Sequence, residues 1–336
     1  MRIALDGMGG DYAPYEVVKG AIEAVSELDD LYIIITGKED ALREELSKYP
    51  INSRDRVSIY PTDQIITMHD HPKDALRKKK NSSLYKAIEL VKNGDAVGIV
   101  SAGNTGAQMA ISLFELKRIK GILRPAIAVP LPLPHSMGIL IDGGANADCN
   151  EKELVQFALM GKVYLENILG RDVTIALLNI GAEAEKGSIL TQQVYETLKS
   201  TFKEFKGNIE GNEILTGKAD VIVTDGFSGN VALKSIEGTA EYIVSSLKSE
   251  IKKSKIAEAG ALLMKNTLKN LFTRFNYETF GGSPLLGING ISIISHGRST
   301  HIAIKNAIKM CYRMEQGKVL EKTINQLNNE SFARNN

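Results

Sequence analysis

Ala96-Val97-Gly98-Ile99-Val100-Ser101-Ala102-Gly103-Asn104-Thr105-Gly106-Ala107 passes from an apolar run into a glycine-rich polar turn. Beyond the turn, Ala107, Ala110, Ile111 and Phe114 keep one helical face. Strand, tight turn and helix in direct succession form the building unit of a parallel α/β sheet. The same pattern returns at Asp142-Gly143-Gly144-Ala145-Asn146, from Asn179-Ile180-Gly181 through Lys186-Gly187, and at Asp225-Gly226-Phe227-Ser228-Gly229-Asn230. In a parallel sheet such turns all lie at the carboxyl edge, where ligands bind. Glycine admits close backbone approach, and the helix N-terminus that follows offers N–H groups to an anion. Four turns of this kind predict a composite anion site.

Working outward, short β-branched runs alternate with amphipathic stretches. Strands are expected at Ile3–Asp6, Tyr32–Thr36, Val57–Tyr60, Ala96–Val100, Ile127–Leu131, Gly138–Ile141, Val173–Asn179, Val221–Thr224 and Ser292–Ser295. Helices are expected at Tyr15–Leu28, Ala41–Tyr49, Leu84–Lys92, Thr105–Leu116, Glu151–Leu169, Ile189–Phe205, Val231–Ile251 and His301–Leu327, with Pro14 just inside the first. The alternation predicts an α/β fold, a mostly parallel sheet with helices on both faces. No internal repeat or Pro/Gly/Ser-rich linker interrupts it. The expected layout is one α/β unit over 1–336, carrying a helical insertion at about 245–275.

Hydrophobic content of 43% with 24% charged residues fits a soluble globular chain, and no apolar run reaches the roughly 20 residues of a membrane span. Nothing resembles a signal peptide, and the two cysteines, Cys149 and Cys311, form no disulfide framework. A cytoplasmic protein is the expectation. Net charge is +1 but uneven: Ser245–Phe275 holds seven Lys/Arg against two Glu, and Lys73–Lys80 five against one Asp. The remainder is therefore acidic, which argues against general nucleic-acid binding.

At the first turn, Asn104, Thr105 and Gly106 either cap a helix or bind an oxyanion. Neither G-x-G-x-x-G nor the Walker A pattern occurs, which disfavours a dinucleotide or ATP. Arg77-Lys78-Lys79-Lys80 precedes Ser82 and Ser83, natural N-caps for the next helix. Cations beside a positive helix end call for a counter-ion, phosphate or an acidic protein surface, unless the loop is simply solvated. Lys186 can bring charge to a phosphate or carbonyl oxygen, with Glu183 orienting it or serving as a first-turn acid. Asp225 is a proton acceptor or the anchor of an Asx-turn. His69 and His71 lack a third ligand, so no metal site is expected, and no serine sits in a nucleophile elbow. Ala261–Phe275 is basic and amphipathic, with Met264, Leu268, Leu271, Phe272 and Phe275 along its apolar side. Such a stripe suits an anionic membrane surface or a dimer contact equally.

Seven motifs then stand in order: Asp6-Gly7-Met8-Gly9-Gly10-Asp11, Lys78–Ser83, Ser101–Ala107, Asp142–Asn146, Asn179–Gly187, Asp225–Asn230 and Gly281-Gly282-Ser283-Pro284-Leu285-Leu286-Gly287. Together they resemble the bacterial phosphate acyltransferases, the acyl-carrier-protein–phosphate transacylases of the PlsX family. Gly7 and Ser283 stand where alanine is common in that family, and Ala182 and Ala184 where many members carry acids. The resemblance implies a three-layer α/β/α homodimer of isocitrate-dehydrogenase-like or phosphotransacetylase-like fold. It implies transfer of a long-chain acyl group from acyl carrier protein to inorganic phosphate, giving acyl phosphate for phospholipid synthesis, with no cofactor. On that footing Lys186, Glu183 and Asp225 are the expected catalytic groups. Phosphate or substrate is expected at Asn104, Thr105, Gly106, Ser82, Ser83, Arg77, Lys80, Asn146, Asn179 and Asn230, and the acyl chain at the helical insertion. That insertion would also touch an anionic membrane, where a glycerol-phosphate acyltransferase takes the product. A nicotinamide-dependent dehydrogenase, a short-chain phosphotransacetylase and a non-catalytic membrane scaffold are the competing readings.

Overall fold

Ile3 and Leu5 pack to one side of their strand and Ala4 to the other, the alternation expected of a strand covered on both faces. In the computed structural model, which describes residues 1–267 and 280–328, the strands are β1 (Arg2–Asp6), β2 (Tyr32–Gly37), β3 (Val57–Pro61), β4 (Gly98–Ser101), β5 (Ala126–Pro132), β6 (Met137–Ile141), β7 (Ile175–Leu178), β8 (Phe205–Ile209), β9 (Val221–Val223), β10 (Ser283–Leu286) and β11 (Ile291–Ile294). They form one sheet in the order β3-β2-β1-β4-β11-β10-β5-β6-β9-β7-β8. The helices are α1 (Tyr15–Glu27), α2 (Glu39–Ser47), α3 (Ile51–Arg54), α4 (Pro72–Lys78), α5 (Ser83–Lys92), α6 (Thr105–Leu116), α7 (Glu151–Leu169), α8 (Ile189–Thr201), α9 (Gly226–Lys252), α10 (Lys255–Leu263), α11 (His301–Gln316) and α12 (Val319–Asn328).

The two faces differ. On one, Ile3, Val100, Ile141 and Val223 share an unbroken apolar layer with α1, α7 and α11. On the other the core is divided. Ile99 and Ile127 pack with α5 and α6, whereas Leu140 and Ile222 pack with Leu233 of α9. Among the described residues only half-buried Val129 touches both clusters, so a cleft opens over β5 where they part.

Strand sense corrects one expectation. β3, β2, β1, β4 and β11 are mutually parallel, and so are β6, β9, β7 and β8. Between these halves, the β11–β10, β10–β5 and β5–β6 pairs are all antiparallel. Three reversals leave β6 running opposite to β4. The turns after β6, β7 and β9 therefore share a carboxyl edge, and the turn after β4 belongs to the half that runs the other way.

Other differences have local causes. The helix expected to reach Phe205 stops at Thr201, where Phe202 turns extended and Phe205 opens β8. Phe205 meets Tyr195 edge-on at 5.3 Å, burying part of both rings. The His301–Leu327 helix is broken at Gly317-Lys318, with Lys318 at φ 51°. Pro14 stands at the cap of α1 rather than inside it. The Asp142 turn does not open directly into a helix, since α7 starts only after Asn150, whose capping box with Glu153 fixes it. Within the expected insertion, α9 ends at Lys252 and Ser254 caps α10, which contains Gly260.

Candidate active site

Two buried aspartates organise the turns that face the cleft. Asp6, at the end of β1, accepts from Ser101 Oγ at 2.7 Å and from Met8 N at 3.2 Å. Burial pushes its carboxyl above the usual range despite these donors and the Ser83 hydroxyl. Gly9 has to be glycine, because a Cβ there would lie 2.5 Å from Asp6 Oδ2 and 2.8 Å from Gly103 N. Asp11 N donates to Gly297 O at 2.8 Å, which ties this loop to the segment after β11.

Asp142 plays the same part after β6. It accepts from Ile127 N (3.0 Å), Gly144 N (3.2 Å), Ala145 N (3.0 Å), Asn146 N (2.7 Å) and Asn146 Nδ2 (2.9 Å). Burial pushes this carboxyl up as well, against the pull of its donors. Gly226 N donates to Asn146 O at 2.8 Å, seating the start of α9 on the same turn.

Thr105, Gly143, Asn230, Lys234, Ser295 and His296 line a cavity of about 260 Å³ over β5, with Ile127 and Val129 as its floor. The turns after β4, β6 and β9 thus meet in spite of the reversal. Thr105 is the first residue of α6, so the positive end of that helix opens here. Lys234 stands one turn beyond Asn230 on α9 and pairs with Glu237 at 2.6 Å. Burial, then Arg298, then Lys234 lower the His296 pKa below its ordinary value, so the ring is neutral at pH 7. Arg298 N donates to His296 Nδ1 at 3.1 Å, which leaves the ring proton on Nε2. A helix N-terminus, an ammonium and an amide around one small cavity suit an oxyanion.

Other predicted site residues serve the turns themselves. Asn104 caps α6 through Ala107 N at 2.9 Å and donates to Thr67 O, Met68 O and Asp70 O at 3.0–3.2 Å. Asn146, besides its bonds to Asp142, donates to Pro125 O at 2.8 Å. Ser82 caps α5, and both it and Ser83 are buried. Gly106 lines a neighbouring groove rather than the cavity. Asp225 caps α9, accepting from Ser228 N at 2.8 Å and Ser228 Oγ at 2.9 Å. Asn179 accepts from Ile180 N at 2.9 Å and donates to Lys186 O at 3.0 Å.

Lys186 and Glu183 are exposed on the turn after β7, outside the cavity lining but beside the Asp225 turn, since β7 pairs with β9. No Lys186–Glu183 ion pair forms among the described residues, although both side chains pass over Gly181.

The basic run also reads differently in place. Arg77 and Lys78 fall in the last turn of α4, where they complement that helix's dipole, and Lys79 pairs with Asp70 at 2.6 Å. Arg77 and Lys80 are exposed. His71 caps α4 through Lys73 N, and the described residues contain no group of three or more His, Cys, Asp or Glu able to hold a metal. Cys149 is no nucleophile: burial pushes its thiol up to about 12, and its Sγ faces Asn146 O at 3.7 Å. Met264 is exposed, while Leu268, Leu271, Phe272 and Phe275 lie outside the described residues.

Lys234 and His296 escaped sequence reasoning. The one available signal was spacing: Lys234 follows Asn230 by four residues, hence on the same helical face.

The profile of the family described as "Fatty acid synthesis protein" matches residues 1–322. A phosphate acyltransferase from Clostridium tetani is 46% identical over 330 residues, covering 98% of each chain. One from Dictyoglomus turgidum is 47% identical over 331 residues, again covering 98% of each. Among solved structures, a phosphotransacetylase from Streptococcus pyogenes superposes with a TM-score of 0.60 at 19% identity, over 94% of both chains. A branched-chain phosphotransacylase from Enterococcus faecalis gives 0.56 at 13% identity, over 93% of this chain and 98% of its own. These two likenesses show the three-layer fold; the sequence relatives show the chemistry. The chain belongs to the phosphate acyltransferase family, enzymes that transfer an acyl group to phosphate.

Proposed function

We propose that the acyl donor is a long-chain fatty acyl thioester of acyl carrier protein and that the product, acyl phosphate, feeds phospholipid synthesis. What supports a phosphate site is the cavity in which the α6 N-terminus, Asn230 and Lys234 converge, and what supports a fatty acyl donor is the match to the fatty acid synthesis family. Inorganic phosphate is already nucleophilic at neutral pH, so the protein has mainly to place it and to stabilise the tetrahedral oxyanion. A phosphate oxygen attacks the thioester carbon; the C–O bond forms, the C–S bond breaks, and the carrier thiol departs with the phosphate proton. Positioning contributes roughly 7–11 kcal/mol in favourable systems, and each oxyanion donor on the order of 3–4 kcal/mol.

Thr105 and the first amides of α6 hold phosphate in this scheme, and Asn230 fixes its geometry. Lys234 faces the oxyanion from within the cavity, Lys186 reaches it from the neighbouring turn, and Asp225 relays a proton. Arg77 and Lys80 meet the acidic carrier protein. The enzyme works as a homodimer against an anionic membrane and hands its product to a membrane glycerol-phosphate acyltransferase. Support for a membrane face comes from Ile256, Leu262 and Leu263, exposed beside Lys252, Lys253 and Lys255. No helix among the described residues is long and apolar enough to cross a membrane.

The test is loss of palmitoyl-carrier-protein thioester with and without phosphate, with hydroxylamine trapping of acyl phosphate. Hydroxamate should appear only with phosphate. Lys186→Ala should lower kcat about 100-fold or more while leaving the unfolding midpoint in place. Turnover of acetyl-coenzyme A in preference to the long-chain thioester would overturn the donor assignment, and near-normal turnover by Lys186→Ala would remove that residue.

A further inference from the structure

Beside the anion cavity lies a second, larger hollow that no step above uses. It has a volume of about 510 Å³, within the range of small-molecule sites. One wall is a face of α6: Met109, Ala110 and Leu113 follow Gly106 at helical spacing, giving an apolar stripe roughly 10 Å long. Leu123, Pro125 and Ala145 form the facing wall. That wall is held in advance. Asn146 Nδ2 donates to Pro125 O, and Gln156 receives Leu123 N at 2.8 Å while donating to Gly121 O at 2.9 Å.

Its two arginines both line it and both have partners. Arg124 pairs with Glu153 at 2.8 Å, and Arg118 donates to Leu123 O. Of the other lining side chains only Asn146 is polar, and its amide is engaged by Pro125 O and Asp142.

The groove adjoins the reacting centre. Thr105 lines the anion cavity and Gly106, the next residue, begins the groove; Gly143 lines the cavity and Ala145–Asn146 the groove. The same two turns therefore wall both spaces. A substrate with its reacting carbon at Thr105 and an apolar tail must send that tail somewhere dry.

We infer that the groove between α6 and the 118–125 loop takes the aliphatic chain of the acyl substrate, with Ala110 and Leu113 setting its length. The inference rests on the acyl-transfer reading of the adjoining cavity, and it places the chain on α6 rather than at the helical insertion. Electrostatics agree, since the anionic end of the reaction belongs at the helix N-terminus and the uncharged end beyond it.

The experiment compares palmitoyl- and butyryl-carrier-protein thioesters as substrates of the full chain, and binding of a fluorescent polyene fatty acid. Ala110→Phe fills the groove. It should lower the palmitoyl-to-butyryl ratio of kcat/KM about tenfold or more, leave butyryl turnover near normal and abolish binding of the fluorescent acid. Leu113→Ala, at a partly exposed position tolerant of truncation, should move the ratio toward longer chains and guards against misfolding of the first variant. Unchanged ratios and unchanged probe binding in both variants would overturn the assignment. A change in sedimentation with an unchanged ratio would do so too, giving the face to a second copy of the chain. Should the wild type turn over neither thioester, the transacylase reading fails; loss of probe binding in Ala110→Phe would still support the groove, and retained binding would end it.

Discussion

Asp142→Asn is the most informative single change, because one carboxylate positions the walls of both the cavity and the groove. The variant side chain keeps one acceptor oxygen and places an NH₂ where the other oxygen stood. With the oxygen facing Ile127, Gly144 and Ala145, the two donors of Asn146, at 2.7 and 2.9 Å, are left pointing at a donor. The opposite rotamer strands three donors instead of two. A buried donor without an acceptor costs about 1–3 kcal/mol, so the expected loss is about 2–6 kcal/mol. Urea unfolding followed by circular dichroism measures it, comparing midpoints at a shared slope. A loss below about 0.5 kcal/mol, the scale of an ordinary surface change, would refute the claim that this carboxylate holds the turn. The same variant should also lose phosphate-dependent turnover, since Asn146, whose carbonyl seats Gly226 at the start of α9, is no longer held.

The other predictions concern how α9 is seated and how stability varies with pH. Gly229→Ala would put a Cβ 2.1 Å from Asp142 O and 2.9 Å from both Leu140 Cδ2 and Thr224 Cγ2. Overpacking of that kind costs about 1–3 kcal/mol, and a thermal melt matching wild type would show that α9 shifts freely. Asp220 is raised by burial, but Arg171 at 2.7 Å and the Thr174 donors outweigh this and hold its carboxyl below the usual range. A folded pKa below the unfolded value of about 3.9 means stability present above that pH and lost as pH falls through the folded value. The gap between wild type and Arg171→Met in urea midpoint should therefore be widest at neutral pH and close as pH falls below about 4; a constant gap would contradict the assignment.

Much of the architecture could be read from side-chain alternation alone. All nine expected strands occur, because β-branched runs such as Ile33-Ile34-Ile35 bury on both faces. β8 escaped behind an overextended helix, and β10 because Gly281-Gly282-Ser283-Pro284 has the composition of a turn, although Pro284 pairs with Ile293 inside the sheet. The reversal of sense was out of reach for a different reason: a residue pattern reports period and burial, never direction. Of the residues expected at phosphate, Thr105 and Asn230 share the cavity. Asn104, Asn146, Asn179 and Ser82 show why polar residues at glycine-rich turns mislead, since the groups that bind a ligand are also the ones that satisfy a backbone. His296 sits alone in the chain and acquires its neighbours only when β11 is laid beside β4.

The short central ladder has a mechanical meaning. β10 is joined to β5 by two residue pairs and to β11 by two, the narrowest seam in the sheet. The unbroken apolar layer beneath is laid out like the spine of a book, and the divided face above like its covers. Motion that brings the α6 wall toward the α9 wall would then be a flexing along β10 and β5, about an axis parallel to the cavity floor. A fold that splits its core on one side only has chosen in advance which way it can close.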